Sequence, residues 1–358
     1  MKFSSTEWSV TVTESPRVSV IVPAWNVANY IGDTIESLLA QTYVDFEIII
    51  VDDCSEDNTY DVAFRYSDSR IRIIRHEVNQ GPARARNTGI RNAKGEFIAL
   101  LDADDLAYPK RLELQVAALD ADPRLVMIGS HVSLMTDAGV RLRNIWKRPV
   151  TAEETAICLI FRNTLSAVYM FRKSMMPEDG YRSLKVSEDY DFNIRMAQRG
   201  WINNLNEPLS WVRVRRSGLT GQFSHSMLEF HKQIAKEYLE HLGLCPTDRE
   251  LEVNTHIGEL NLEPSVELLE DVEAWLIKLA TANDRLHKYD TTIFWMICGK
   301  EWFEVCKFAT PLGIHVLKIY NASPLSKYFR PGAKEYLKLI VKSAIRHKRS
   351  SDRRSDYL

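Results

Sequence analysis

The chain reads as an α/β protein: a Rossmann-like, mostly parallel sheet flanked by helices, followed by a C-terminal helical appendage. Three observations carry this. Up to about residue 217, short β-branched runs alternate with longer stretches of helical spacing. The strand-length runs lack a polar face, as strands covered by helices on both sides require. From Leu219 onward only helical periodicity remains.

The elements follow in order. Val18 to Val22 (VSVIV) is an apolar run ending at Pro23, and Ile31, Ile35, Leu38 and Leu39 then fall at helical spacing. Phe46 to Val51 repeats the strand pattern and ends on Asp52-Asp53. A helix around Asp57 to Tyr66, the run Ile71 to Ile74, a helix from Pro82 to Asn92 and the strand Glu96 to Leu101 come next. Pro82 and Pro109 each fit the first turn of a helix, and the helix from Pro82 stops near Gly95. HVSLMTDAGVRLR, after Leu125 to Ser130, predicts a hairpin turning at Asp137-Ala138-Gly139. A mixed α+β region runs to Ser217, so the expected domains are residues 1–217 and a mainly helical 218–358, broken at Gly243 to Pro246, Pro264, Pro311 and Pro324. In the second part, Trp295, Trp302, Phe303 and Phe308 are candidate core residues.

Composition limits the function. The 358 residues are 45% hydrophobic and 26% charged, which excludes a disordered tail or a fibre. The 46 basic and 48 acidic residues nearly cancel, so no global charge points to nucleic acid. The five cysteines are scattered without a CxxC pair, the start MKFSSTEWSV is hydrophilic, and no run reaches the ~18 apolar residues of a membrane span. The expected setting is the cytoplasm, with any membrane contact peripheral, at the inner face of the cell membrane and through the basic C-terminus. Charge within the appendage is uneven: Pro246 to Asp290 holds eleven acidic residues against four basic, whereas Pro331 to Leu358 holds eight basic against three acidic.

Ligands of open α/β sheets sit beyond the carboxyl ends of the strands. The polar residues there are Pro23-Ala24-Trp25-Asn26, Asp52-Asp53, the loop before Arg84 and Arg86, and Asp102-Ala103-Asp104-Asp105. Carboxylates this close repel one another unless a cation or hydrogen-bond donors compensate, and hard oxygens suit Mg²⁺ or Mn²⁺ shared with substrate phosphates. Neither GxxxxGK[ST] nor GxGxxG occurs, so phosphates are expected to meet metal and arginine instead. Aspartates at strand ends also cap helices, and Asp105, ahead of Pro109, fits that role. His76, His131 and His225 belong to no metal-ligand cluster and are read as surface or packing residues, and Cys54, directly after Asp53, as an ordinary buried thiol or a residue lining the pocket there.

The runs VSVIVPAWNVANYIGDTIESLLAQTYVDFEIIIVDDCSEDNT, NQGPARARNTGIRNAKGEFIALLDADD and SEDYDF together resemble the family-2 glycosyltransferases of the GT-A fold, over Arg17 to Ser217. The resemblance implies an inverting transfer of one sugar from a nucleotide-sugar, expected to be a UDP-sugar. The acceptor it implies is a saccharide or lipid-linked saccharide, in surface-polysaccharide assembly. It implies that Asp53 binds the base, with Pro23, Ala24 and Trp25 lining its pocket. Asp104 would hold a divalent metal (Mn²⁺ or Mg²⁺), with Asp102 beside it near the ribose and Ala103 between them. Arg84 or Arg86 would meet the nucleotide or phosphate. Glu188-Asp189 is the acidic catalytic pair, with Asp189 as base. Where many members carry a metal-completing histidine, this chain has Arg215, which could neutralise the diphosphate directly. A Gln-X-X-Arg-Trp motif is absent, which implies single-residue transfer. Two other readings are a sugar-nucleotide nucleotidyltransferase and a catalytically degenerate scaffold. Against the first, the first loop reads PAWNVANY without glycine or base; the intact carboxylates oppose the second.

Overall fold

A computed structural model describes residues 15–166, 168–215 and 224–345. Its centre is a nine-stranded sheet of order β3-β2-β1-β4-β8-β6-β9-β5, with β7 paired to β6. β1 (Val18–Ala24), β2 (Phe46–Asp52), β3 (Ile71–Arg75) and β4 (Phe97–Leu100) are parallel neighbours. β5 (Leu106–Ala107), β6 (Leu125–Thr136), β7 (Arg141–Trp146), β8 (Met170–Arg172) and β9 (Trp201–Val214) complete it, with β8 antiparallel to β4 and β6, and β9 parallel to β6.

Side chains alternate across the parallel strands and meet a helical layer on each face. Val18, Val20, Val22, Ile48 and Ile50 pack with Ile31, Ile35 and Leu38 of α1 (Ile31–Leu39) and with Leu112 and Leu119 of α4 (Arg111–Ala121). α2 (Thr59–Phe64) joins β2 to β3. Ile21, Ile49, Val51, Ile98 and Leu100 pack on the other face with α3 (Pro82–Asn92) and α6 (Glu188–Ala197). The hairpin forms as the sequence predicts, with Gly139 at φ +79° in its turn.

Two expectations change. Pro109 does not start α4; it sits in the preceding turn, where its carbonyl accepts the Thr42 N–H at 2.8 Å. Asp105 does not cap that helix, because the Gln41 side chain, 3.0 Å from the Leu112 N–H, already fills an orphan donor there. Asp105 instead accepts the backbone N–H of Arg213 at 2.9 Å, fastening β9 to the end of β4.

Beyond the sheet the described chain is helical: α7 (Ser224–His241), α8 (Asp248–Glu259), α9 (Val266–Leu286), α10 (Thr291–Phe308), α11 (His315–Ala322) and α12 (Ala333–Ala344). Trp302 and Phe303 are buried, and Trp295 and Phe308 pack against the same apolar cluster, as expected of core residues. This apolar cluster is continuous with the sheet's second face, through Ile160, Phe161, Leu251, Trp275 and Trp302. The join is also polar. Asn254 of α8 donates to the Ile160 carbonyl at 2.7 Å and accepts the Trp275 indole N–H at 3.0 Å. Arg162 pairs with the buried Glu301 of α10. The segment after α5 (Ala152–Cys158) is thereby held by α8 and α10, with α9 bracing Asn254.

Gly258 on α8 marks how close this contact is, since a Cβ there would lie 2.0 Å from the Phe161 carbonyl oxygen. Gly258→Ala should therefore lower unfolding free energy by ~1–3 kcal/mol, as overpacking against backbone does. Gly32→Ala, whose Cβ would meet Tyr66 at an ordinary 3.4 Å, serves as control. Equal denaturation midpoints for the two variants would disprove the contact.

Candidate active site

The loops at the carboxyl ends of β1 and β2 are latched together. Asn26 donates its N–H to Ser55 Oγ at 3.0 Å and accepts the Glu56 N–H at 2.9 Å, while Val27 N–H reaches Thr59 Oγ1 at 2.8 Å. Asn26 and Cys54 hold φ of +52° and +59°, left-handed conformations that non-glycine residues adopt where the surroundings enforce them. Trp25, on the same turn, is 47% exposed, whereas Ala24 is buried and Pro23 partly so.

Asp53 lies beneath that turn and is 3% exposed. Its carboxylate accepts from Gly81 N–H at 2.7 Å and Gln80 N–H at 3.0 Å, and its Oδ1 lies 2.6 Å from His76 Nδ1. His76 reaches Thr88 Oγ1 of α3 through its other nitrogen, at 3.0 Å. The carboxylate expected to meet a base is thus committed to the loop that opens α3, whose N–H groups would otherwise lack partners. His76 proves a packing residue with a defined polar task.

The acidic rim lies at the end of β4. Asp102 pairs with Arg86 at 3.1 Å, and the same guanidinium contacts Glu188, the first residue of α6. Arg86 is 6% exposed, while Arg84, two residues earlier on α3, is exposed, so one of the two expected arginines is solvated and the other already neutralised. Glu188, expected in the catalytic pair, serves as counterion to Arg86. Asp104 pairs with Arg215 at 2.6 Å. Its carbonyl accepts the Arg213 Nε–H at 2.9 Å. Both arginines stack over the Tyr30 ring, at 4.7 and 5.1 Å. Ala103 is buried between the two acids. Burial raises the carboxyl of Asp105 well above its ordinary value, reinforced by the charges of Asp104 and Asp102, and burial likewise raises Asp104 against the pull of Arg215. Arg111, buried behind the rim, is lowered to about 9 by burial.

Asp189 makes no ion pair with an arginine among the described residues. Ser187, at φ +65°, turns the chain so that α6 begins with Glu188 and Asp189 at the rim. One oxygen of Asp189 accepts the Tyr190 N–H at 2.8 Å and the other accepts Asn163 Nδ2–H at 2.9 Å. Asn163 is in turn held by Asn193 Nδ2–H at 2.8 Å. Burial first, and then the neighbouring Glu188, push Asp189 up to about 6, with Arg86 opposing. Asn163, Arg213 and Tyr30 were not singled out by sequence, since an asparagine in FRNT carries no pattern of its own.

Asp102 and Asp104 supply the hard oxygens that Mg²⁺ or Mn²⁺ prefers, and no third metal-binding side chain joins them among the described residues. They fit an ion that takes its remaining ligands from a diphosphate and water, with Arg215 competing for Asp104.

A family model described as glycosyl transferase family 2 matches residues 19–174. The putative glycosyltransferase EpsE of Bacillus subtilis is 32% identical over 213 residues, 56% of this chain and 74% of that protein. WfgD of Escherichia coli, named a UDP-Glc:alpha-D-GlcNAc-diphosphoundecaprenol beta-1,3-glucosyltransferase, is 40% identical over 114 residues, 32% of this chain and 45% of that protein. The chain spans about a third (35%) of an uncharacterized Rickettsia felis glycosyltransferase that is 34% identical over 59% of this chain. Among solved structures, S. aureus TarS 1-349 in complex with UDP-GlcNAc superposes with a TM-score of 0.55 at 19% identity, over 87% of this chain and 89% of that one. The fold is therefore GT-A.

Asp53 should prove structural as well as site-forming. Asp53→Ala strands the Gln80 and Gly81 donors and should cost ~1–3 kcal/mol, measured by urea unfolding. Wild-type stability in that variant would show that the carboxylate does not hold the loop.

Proposed function

The chain belongs to glycosyl transferase family 2, and on that premise we propose that it moves one sugar from a nucleoside-diphosphate sugar to an acceptor hydroxyl with inversion. The observation that carries this is the rim, where Arg86 joins Asp102 to Glu188 and the residue after Glu188, Asp189, is a carboxyl raised to about 6. Inversion needs a base and a charge sink on opposite sides of the anomeric carbon. Asp189 takes the acceptor proton as the acceptor oxygen bonds to that carbon, and the diphosphate leaves with the electron pair of the broken C–O bond. Exposed Trp25 and the turn at Pro23 and Ala24 would flank the base, with Asp53 fixing the floor beneath. Arg84, exposed, is available to phosphate.

Asp104, with Asp102, would hold Mn²⁺ or Mg²⁺, which would stabilise charge on the leaving oxygen. Arg215 reaches the same place and would offer its fixed charge to the diphosphate once released from Asp104. UDP as carrier is supported by the names of WfgD and of the TarS complex. A lipid-linked saccharide acceptor in surface-polysaccharide assembly is supported by WfgD alone. Among the described residues no helix is long and apolar enough to cross a membrane, so such an acceptor would be met at the bilayer surface.

Asp189→Asn should keep the rise in melting temperature that UDP produces while transfer falls about 10²–10⁴-fold. Full turnover in that variant would remove Asp189 as base. Because the base must be ionised, kcat should rise with pH through about 6. Asn163 donates to the ionised carboxylate and so favours it; Asn163→Ala should move that limb to higher pH. An unmoved limb would make Asn163 merely structural. Asp104→Asn should abolish the part of the UDP-induced stabilisation that depends on Mn²⁺, and an unchanged response would place the ion elsewhere.

A further inference from the structure

Helix α12 has apolar residues on two opposite sides. On one, Leu339 and Ser343 are buried, and Tyr336 packs on Tyr320 at 6.2 Å and donates to Asn321 Oδ1 at 3.0 Å. That side fastens α12 to α11. On the other, Leu337, Val341 and Ile345, just past the helix end, are 58%, 50% and 66% exposed. At 100° per residue these three fall within an arc of about 80°, facing away from Leu339 and Ser343. Single exposed apolar residues are ordinary, but three in a row down one helix face form a strip that calls for a partner.

The charges beside the strip say which partner. Lys334, Lys338 and Lys342 recur at the same four-residue interval along its edge, with Lys334 and Lys338 exposed. Glu335, the only acid of the helix, is already engaged by Lys338 at 2.6 Å and Lys307 at 3.6 Å. In sequence the basic character continues through Arg346, Lys348 and Arg349. Two copies meeting strip to strip would bring like-charged lysines together, which disfavours a self-interface.

We propose that α12 docks the protein on an anionic bilayer surface, lying in the headgroup plane with Leu337, Val341 and Ile345 inserted and the lysines at phosphate level. Long lysine stems suit this, since they lie along apolar surface while their ammonium groups reach the phosphates. This surface uses no residue of the acidic rim, so it stands or falls separately from the transferase reading.

The test is sedimentation of the full chain with vesicles of phosphatidylcholine alone or of equal parts phosphatidylcholine and phosphatidylglycerol. The protein should pellet with the mixed vesicles, remain in solution with the neutral ones, and dissociate as salt rises. The double variant Leu337→Asp/Val341→Asp should lower partitioning about tenfold or more. Lys334→Glu, which alters an exposed side chain outside the ion pairs of Glu335, should lower it roughly fivefold or more. Both should melt at the wild-type temperature and keep the UDP-induced shift. The proposal is overturned if the wild type stays in solution with mixed vesicles. It is equally overturned if both variants pellet like the wild type, or if light scattering finds a dimer that the aspartates split, which would make the strip a subunit interface.

Discussion

A guanidinium buried between two carboxylates organises this molecule. Arg86 arrives from α3, Asp102 from the end of β4 and Glu188 from the start of α6, so one side chain joins three elements far apart in sequence. A charge buried this deeply is tolerable only when paired, and losing one partner costs more than the pair contributes. The pairing therefore fixes where α6 begins relative to the strand ends. With α6 so anchored, the next residue, Asp189, is left with hydrogen bonds and no arginine ion pair among the described residues, which is why burial can lift its carboxyl towards neutrality.

The helical region bears on the same turn from behind. Asn254, Gly258 and Glu301 hold the consecutive residues Ile160, Phe161 and Arg162, and the following residue is Asn163, the donor to Asp189. Two helices remote from the acids in sequence, α8 and α10, thus fix the backbone that carries the Asp189 donor. Precision of this kind comes from packed elements rather than from loops.

Much of this was legible beforehand. The apolar runs without a polar face gave the parallel strands, and helical spacing placed α1 and α3 at the ends observed. Acids at strand ends identified the rim because strand ends are where such sheets place ligands. Pairings were not legible. That Glu188 would neutralise Arg86, that Asp53 would hold the loop before α3, or that Asp105 would tie down β9 depends on which distant donors the fold brings near. Asn163 was invisible for the same reason, and Pro109 misled because a proline ahead of a helix signals the turn as readily as the first helical residue.

The parallel pairing of β6 with β9 has a further consequence, for the order of assembly. The arginines that offset Asp104 and Asp105 lie on and just after the last strand, more than a hundred residues beyond those acids. A nascent chain that has emitted only its first five strands has Arg86 for Asp102 but lacks the Arg215 that pairs with Asp104 and the Arg213 N–H that Asp105 accepts. Contacts so distant along the chain form late, because closing a long loop is entropically costly. Completion of the acidic rim is therefore coupled to insertion of β9.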